Sequence, residues 1–197
     1  MQDPLLYRMI RPLVIAWLKL VYRPIMVNQS VIPTQGRALL AGTHVNDKDP
    51  LLLGMTTKRC VRYIAKDELF KGLGSLIFKG LGAIPVNRRI HDTQVIPTTV
   101  KLLEADCLVG IFPEGTINRA REDVILPFKA GVIKIALATD SPIIPFAIIA
   151  KYPKYPKNVK IIFDEPYLPQ TKDIDKELKV LEKKVRFLIK NNERELS

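Results

Sequence analysis

From residue 38 onward, short apolar runs alternate with segments of helical pattern, and that alternation restricts the fold more than any other feature of the chain. Ala38-Leu39-Leu40-Ala41 reads as a buried strand. Asp49-Pro50 reads as an N-cap followed by proline at the first helical position, opening a helix to about residue 58. Residues 61–65 read as strand, 66–81 as helix in two pieces broken at Gly72 and Gly74, and 84–86 as a short strand. Residues 92–105 follow as a helix interrupted at Pro97. Residues 107–112 form a buried strand running into a turn at Pro113-Glu114-Gly115. A helix over 129–139 and strands over 143–149 and 159–163 complete the alternation. Ile174, Leu178, Leu181, Val185 and Leu188 then recur at 4-3-4-3 spacing, which predicts one amphipathic helix over residues 172–191 packed on the sheet. Strands alternating with helices predict an α/β layered domain with a mostly parallel or mixed central sheet flanked by helices. Such sheets bind ligands at the loops beyond the carboxyl ends of their strands. His44 and Glu114 both follow strands in that way.

Before residue 38 the pattern differs. Residues 25–35 read as loop or irregular strand closed by Pro33 and Gly36, and residues 5–22 carry a helical pattern interrupted by Arg8, Arg11 and Lys19. No stretch reaches the ~18 uncharged apolar residues of a spanning helix. Arg8, Arg11, Lys19 and Arg23 fall within a sector of about 120° on a helical projection, with Leu6, Met9, Ile10, Leu13, Val14, Trp17, Leu20 and Val21 around the rest. That arrangement suits a helix lying in a lipid interface, and equally one packed on the domain's own core. Pro12 would kink it or restart it. The predicted organisation is an N-terminal amphipathic, membrane-associating helix over residues 1–24 and an α/β domain over 25–197.

The balance of 31 Lys+Arg against 20 Asp+Glu leaves a formal charge of +11, which calls for a polyanionic partner, either nucleic acid or an anionic lipid surface. No recognised nucleic-acid motif appears, so an anionic membrane surface is expected and nucleic acid is not. The loop Lys151-Tyr152-Pro153-Lys154-Tyr155-Pro156-Lys157 would suit a headgroup layer, stacking on single-stranded nucleic acid, or plain solvent. Cys60 and Cys107 have no CxxC spacing and no secretory signal peptide is visible, which reads as reduced thiols in a cytosol-facing protein.

With two histidines in the chain, His44 and His91, a multi-histidine metal cluster cannot be built, and no metal is expected. A general base needs a near-neutral pKa and a partner that fixes its tautomer. Asp49, five residues after His44, could accept from one imidazole nitrogen and leave the other for a substrate hydroxyl. Spacing alone favours the plainer arrangement, in which Asp49 caps its helix and His44 is a satisfied loop residue. Ser30, Ser75, Ser141 and Ser197 fit no G-x-S-x-G turn, and both cysteines border strands, so a protein nucleophile is not indicated. In Phe112-Pro113-Glu114-Gly115-Thr116, Gly115 permits close backbone approach to a ligand and Glu114 can hold hydroxyls. The same residues also read as a plain strand-ending turn. Arg88 and Arg89 are candidates for a bidentate phosphate clamp, or a solvated pair.

Taken in order, these segments resemble the glycerophospholipid acyltransferases, and within them the lysophosphatidic acid acyltransferases. Four blocks carry the resemblance: His-x4-Asp from His44 to Asp49 with Pro50 after it; Gly82-Ala83-Ile84-Pro85-Val86-Asn87-Arg88; Phe112 to Thr116; and Ile143-Ile144-Pro145-Phe146. The segments Pro127-Phe128-Lys129-Ala130-Gly131 and Lys66-Asp67-Glu68-Leu69 are similar to family segments too. The resemblance implies that His44 deprotonates the acceptor hydroxyl with Asp49 orienting it. It implies that Arg88 and the Glu114-Gly115-Thr116 turn hold the glycerol phosphate, assisted by Lys66 and Lys129 at phosphate or oxyanion. It further implies no cofactor, an acyl-CoA or acyl-carrier-protein donor, a lysophospholipid acceptor, phosphatidic acid as product, and peripheral or monotopic attachment at the cytoplasmic face of a membrane. Thr43 and Asn46 stand where the family usually has Asn and Ser, and Ile117 stands where Arg is usual. The missing arginine keeps open another lysophospholipid or glycolipid acceptor, and the departures together keep open a catalytically inactive lipid-binding relative. The charge of +11 and the Lys-Tyr-Pro loop keep open a non-enzymatic basic module that binds nucleic acid.

Overall fold

The structure is a computed structural model that describes residues 5–66, 78, 82–86, 94–119, 125–150 and 159–192. Seven strands form one sheet: β1 (Ile25–Val27), β2 (Ala38–Gly42), β3 (Val61–Lys66), β4 (Ala83–Val86), β5 (Leu108–Ile111), β6 (Ile143–Ile149) and β7 (Lys160–Phe163). Their order is β1-β7-β6-β2-β5-β3-β4. β2 to β6 run parallel to one another, β7 is antiparallel to β6, and β1 is parallel to β7. The sheet is therefore mixed, with a parallel body and a reversed edge. Every residue of β2, β6 and β7 is buried, as expected of strands covered on both faces.

Side chains of β2 alternate between two cores. Leu39 and Ala41 point to one, shared with Leu103, Ile133 and Leu181, while Ala38 and Leu40 point to the other, shared with Leu18, Leu53 and Phe163. The first core is covered by α3 (Val95–Glu104), α4 (Gly131–Thr139) and α5 (Ile174–Asn192). The second is covered by α1 (Leu5–Tyr22) and α2 (Asp49–Met55).

Several sequence expectations need adjustment. Asp49 does not cap α2 from outside; it is the first helical residue, Lys48 occupies the cap, and the helix ends at Met55 rather than 58. Pro97 does not interrupt α3, because it sits in the first turn, where a backbone N–H has no intrahelical acceptor to lose. Residues 25–35 contain a true edge strand, β1, paired to β7, and a 3-10 turn at Gln29–Val31. The two helical pieces expected over 66–81, and the basic loop over 151–157, lie outside the described residues apart from Lys66, the last residue of β3, and Phe78.

α1 continues through Pro12 and serves two surfaces at once. Tyr7, Leu18 and Tyr22 are buried, with Val14, Ile15 and Val21 packed beside them. On the same face Arg11 turns inward to donate to the Thr57 carbonyl at 2.5 Å, and Tyr7 Oη donates to the Arg59 carbonyl at 3.1 Å. Leu5, Met9, Leu13, Trp17 and Leu20 remain exposed and share a sector of about 120° on the outer side. Exposed Arg8 and Lys19 border that sector. Among the described residues, no helix is long and apolar enough to cross a membrane.

Candidate active site

Because β2, β5, β3 and β4 are neighbours and parallel, the loops that leave them converge on one edge of the sheet. β2 ends two residues before His44, β5 ends three before Glu114, and β3 ends at Lys66 itself. β4 ends at Val86 on the same edge, two residues before Arg88; Arg88 and Arg89 lie outside the described residues.

At the centre, His44 Nδ1 lies 3.0 Å from Asp49 Oδ2. The same oxygen accepts from the amides of Val45 at 2.7 Å and Asn46 at 2.8 Å. Asp49 is completely buried, whereas the His44 side chain keeps 17% of its surface exposed. Three donors converging on one buried oxygen fix the carboxylate and the loop around it. They also set the imidazole tautomer: Nδ1 donates to Asp49, and Nε2 is left as an acceptor. No described residue bonds to Nε2. A histidine so arranged can take a proton from a hydroxyl and return it to a leaving group. The Phe112 ring, leaving β5, stacks on the imidazole at 4.2 Å between centroids and 24° between planes.

Glu114, expected to hold substrate hydroxyls, is buried with both oxygens engaged by the protein. Oε1 accepts from the His44 amide at 3.0 Å and Oε2 from the Leu126 amide at 3.0 Å. Burial pushes its carboxyl above the ordinary value, and the amide bonds from His44 and Leu126 pull part of that shift back. The Asn118 amide donates to the His44 carbonyl at 2.7 Å, so the loop after β5 grips both polar backbone groups of His44. Gly115 adopts φ +71°, where a side chain is disfavoured. A Cβ there would run into Lys129, whose Cε would lie 2.7 Å away and whose Nζ would be closer still. Lys129 is exposed and tied to the turn by its own amide, which donates to the Pro113 carbonyl at 2.9 Å. Its ammonium thus lies over the Gly115 turn. Thr116 is exposed on the same turn, and Lys66 closes β3.

Sequence reasoning missed three residues that hold this geometry. Phe112 belongs to a sequence motif, and only the fold makes it the ring under His44. Asn118 carried no signal, since its backbone amide bonds His44, a residue far away in sequence, and its side chain hydrogen-bonds Glu114. Thr43, noted as a departure from the family pattern, has its hydroxyl accepting from the Ile148 amide at 2.9 Å, which fastens the strand end before His44 to β6. No group of three or more His, Cys, Asp or Glu able to hold a metal exists among the described residues.

The mixed α/β sheet carries a histidine–carboxylate pair at its carboxyl edge, and among the described residues no Ser, Cys or Thr side chain hydrogen-bonds the imidazole. The family model described as Acyltransferase matches residues 23–149, and the chain belongs to the acyltransferase family. It is similar to the 1-acyl-sn-glycerol-3-phosphate acyltransferase of Bacillus subtilis, 37% identical over 123 residues that cover 61% of this chain and 59% of that protein. It is also similar to the protein of the same name from Borreliella burgdorferi, 30% identical over 138 residues covering 68% of this chain and 54% of that one. The chain thus spans between half and three fifths of the length of these relatives. In fold it resembles the crystal structure of the 1-acyl-sn-glycerophosphate (LPA) acyltransferase PlsC from Thermotoga maritima, with a TM-score of 0.78 at 20% identity, covering 94% of this chain and 78% of that one.

Proposed function

We propose that this chain transfers a fatty-acyl group from a thioester, acyl-CoA or acyl-carrier protein, to the sn-2 hydroxyl of lysophosphatidic acid, giving phosphatidic acid. The observation that carries the reading is the His44–Asp49 pair, 3.0 Å apart, with Nε2 unpartnered among the described residues. His44 Nε2 takes the hydroxyl proton as that oxygen attacks the thioester carbonyl. The carbonyl electrons pass onto oxygen, and when they return the C–S bond breaks. The imidazolium then gives its proton to the departing thiolate, and Asp49 favours that cation throughout. Similarity to relatives named for 1-acyl-sn-glycerol-3-phosphate supports the acceptor. Lys66 at the end of β3, Lys129 over the Gly115 turn, and Arg88 just beyond β4 supply the cations for its phosphate.

The acceptor is a lipid, so the site must meet a bilayer. We assign that contact to the exposed apolar strip of α1 with Arg8 and Lys19 at its border, in peripheral attachment to an anionic, cytoplasm-facing surface. The reaction is tested by offering mixed lysolipids, with and without a phosphomonoester, together with palmitoyl-CoA and palmitoyl-carrier protein, and analysing products by mass spectrometry. Phosphatidate as the main product is expected, with its formation reduced in Arg88→Ala. Preferential acylation of acceptors lacking the phosphomonoester would move the reading to another lysolipid or a glycolipid.

A further inference from the structure

α5 leaves one surface unaccounted for by the proposed reaction. Its apolar stripe, including Leu181, Val185 and Leu188, is buried against the sheet. On the opposite side Lys172, Lys176, Lys179, Lys183, Arg186 and Lys190 recur at 4-3-4-3-4 spacing, and all six are exposed. The five that lie on the helix fall within about 80° of its circumference. None of the six is ion-paired among the described residues. The helix's acids do not neutralise the row. Glu177 is buried and accepts from the amides of Gln170 and Thr171, and Glu182 accepts from the Phe128 amide. Asp175 is exposed in the first turn, where the helix dipole favours a negative charge, and exposed Asp173 precedes the helix, so acids offset only the amino end of the row. Phe187, 63% exposed, lies at the margin of the cationic row, and exposed Val180 lies beside it.

Two features of the fold say what such a surface meets. First, α5 covers one face of the sheet and α1 the other, so the cationic row and the apolar strip of α1 look in opposite directions. A bilayer held by α1 does not reach α5, and its ligand comes from the aqueous side. Second, β7 runs antiparallel to β6 and delivers the chain to the amino edge of the parallel strands, from which α5 returns toward the carboxyl edge. At 1.5 Å per residue the helix extends about 28 Å. Midway along it, Glu182 holds the loop that carries Lys129 and whose Leu126 amide bonds Glu114. The row therefore leads toward the candidate active site.

We propose that the outward face of α5 is a docking surface for an acidic protein that carries the acyl thioester, with carboxylates of the partner along the cationic row and an apolar slot for Phe187. A helix-length line of like charges steers an anionic partner and sets its register, while one exposed aromatic supplies the anchor. This rests on the acyl-transfer reading for the partner's cargo, but the surface can be tested without turnover.

The experiment uses the full chain and a purified acyl carrier protein charged with palmitate. Binding is measured by surface plasmon resonance for the wild type, for the triple charge reversal K176E/K179E/K183E, for F187S and for His44→Ala. The expected result is a Kd at least tenfold weaker in the triple variant and in F187S, unchanged in His44→Ala, with binding that weakens steeply as salt rises. Steady-state rates should show KM for the palmitoyl-carrier protein up at least tenfold in the triple variant, with kcat and KM for palmitoyl-CoA unchanged. Three results would overturn the proposal: carrier affinity indifferent to the reversal, an equal rise in KM for palmitoyl-CoA, or lost binding to anionic vesicles with carrier binding intact. If neither donor supports turnover, the reaction assignment fails while the binding measurement still decides the surface.

Discussion

Replacing Asp49 by asparagine and by alanine separates the structural from the chemical part of its role, because its hydrogen bonds are so unevenly distributed. All three donors converge on Oδ2, at 2.7, 2.8 and 3.0 Å, and buried Oδ1 has no partner among the described residues. An asparagine that places its carbonyl oxygen where Oδ2 stands keeps every bond and loses only the charge. Passing from an ionic to a neutral acceptor removes about 1 kcal/mol per bond, so Asp49→Asn should lose roughly 3 kcal/mol of folding stability. Alanine abandons all three donors and should lose roughly 4–6 kcal/mol, a large part of a typical 5–15 kcal/mol total. The chemical effect runs the other way in proportion. Asparagine preserves the tautomer yet no longer favours the imidazolium, and a loss of about 2–3 kcal/mol in the transition state lowers kcat on the order of 30- to 150-fold. Urea unfolding followed by circular dichroism gives the first quantity, and initial rates with palmitoyl-CoA and lysophosphatidate give the second. An Asp49→Asn protein with full kcat, or one no more stable than Asp49→Ala, would refute the reasoning.

Other outcomes follow from the same geometry. Glu114 holds its proton to higher pH when folded than when unfolded, so the folded state binds more protons between the two values and stability falls as pH rises through that window, levelling off above the folded value. Glu114→Gln should lack that decline, and urea unfolding across pH 4 to 8 tests it; an identical pH slope in both proteins would remove burial as the cause. Gly110→Ala would place a Cβ 2.9 Å from Tyr63 Cδ1, and Tyr63 stacks on the Phe112 ring that lies against His44. Overpacking there should cost about 1–3 kcal/mol, seen as a lower Tm, and should lower kcat as well. On the exposed strip of α1, the double substitution L13E/L20E should abolish co-sedimentation with anionic vesicles while leaving Tm within a few degrees, since both residues are more than 70% exposed. Unchanged co-sedimentation would remove α1 as the lipid contact. Point changes are preferable here to truncation, which would strip Leu18 and Tyr22 from the core.

The body of the sheet was readable because its strands are continuous apolar runs: β6 spans the residues its pattern predicts, and β2 and β7 differ from prediction by one residue at an end. β1 was not, since three residues with no distinctive alternation become a strand only by pairing with β7, more than a hundred positions away. Asp49 was located but misread in detail. The same Asp-Pro dipeptide serves an external cap and a buried first-turn carboxylate, and only the fold shows that its acceptor oxygen faces back toward His44 rather than forward into α2. Arg11 looked like a headgroup cation, yet it lies on the inner face of α1 and spends its guanidinium on the Thr57 carbonyl, a partner that helical projection cannot reveal. Glu114 was legible as a site residue from its turn. That its oxygens brace the His44 and Leu126 amides depends on which loops the strand order brings together.

The role proposed for His44 Nε2 is to move the proton in acyl transfer. Its most direct measurement is the turnover of palmitoyl-CoA and lysophosphatidate by folded His44→Ala alongside the wild type. General-base catalysis requires a fall in kcat on the order of 10²- to 10⁴-fold with the thermal transition little changed. Wild-type turnover by the alanine variant would contradict it.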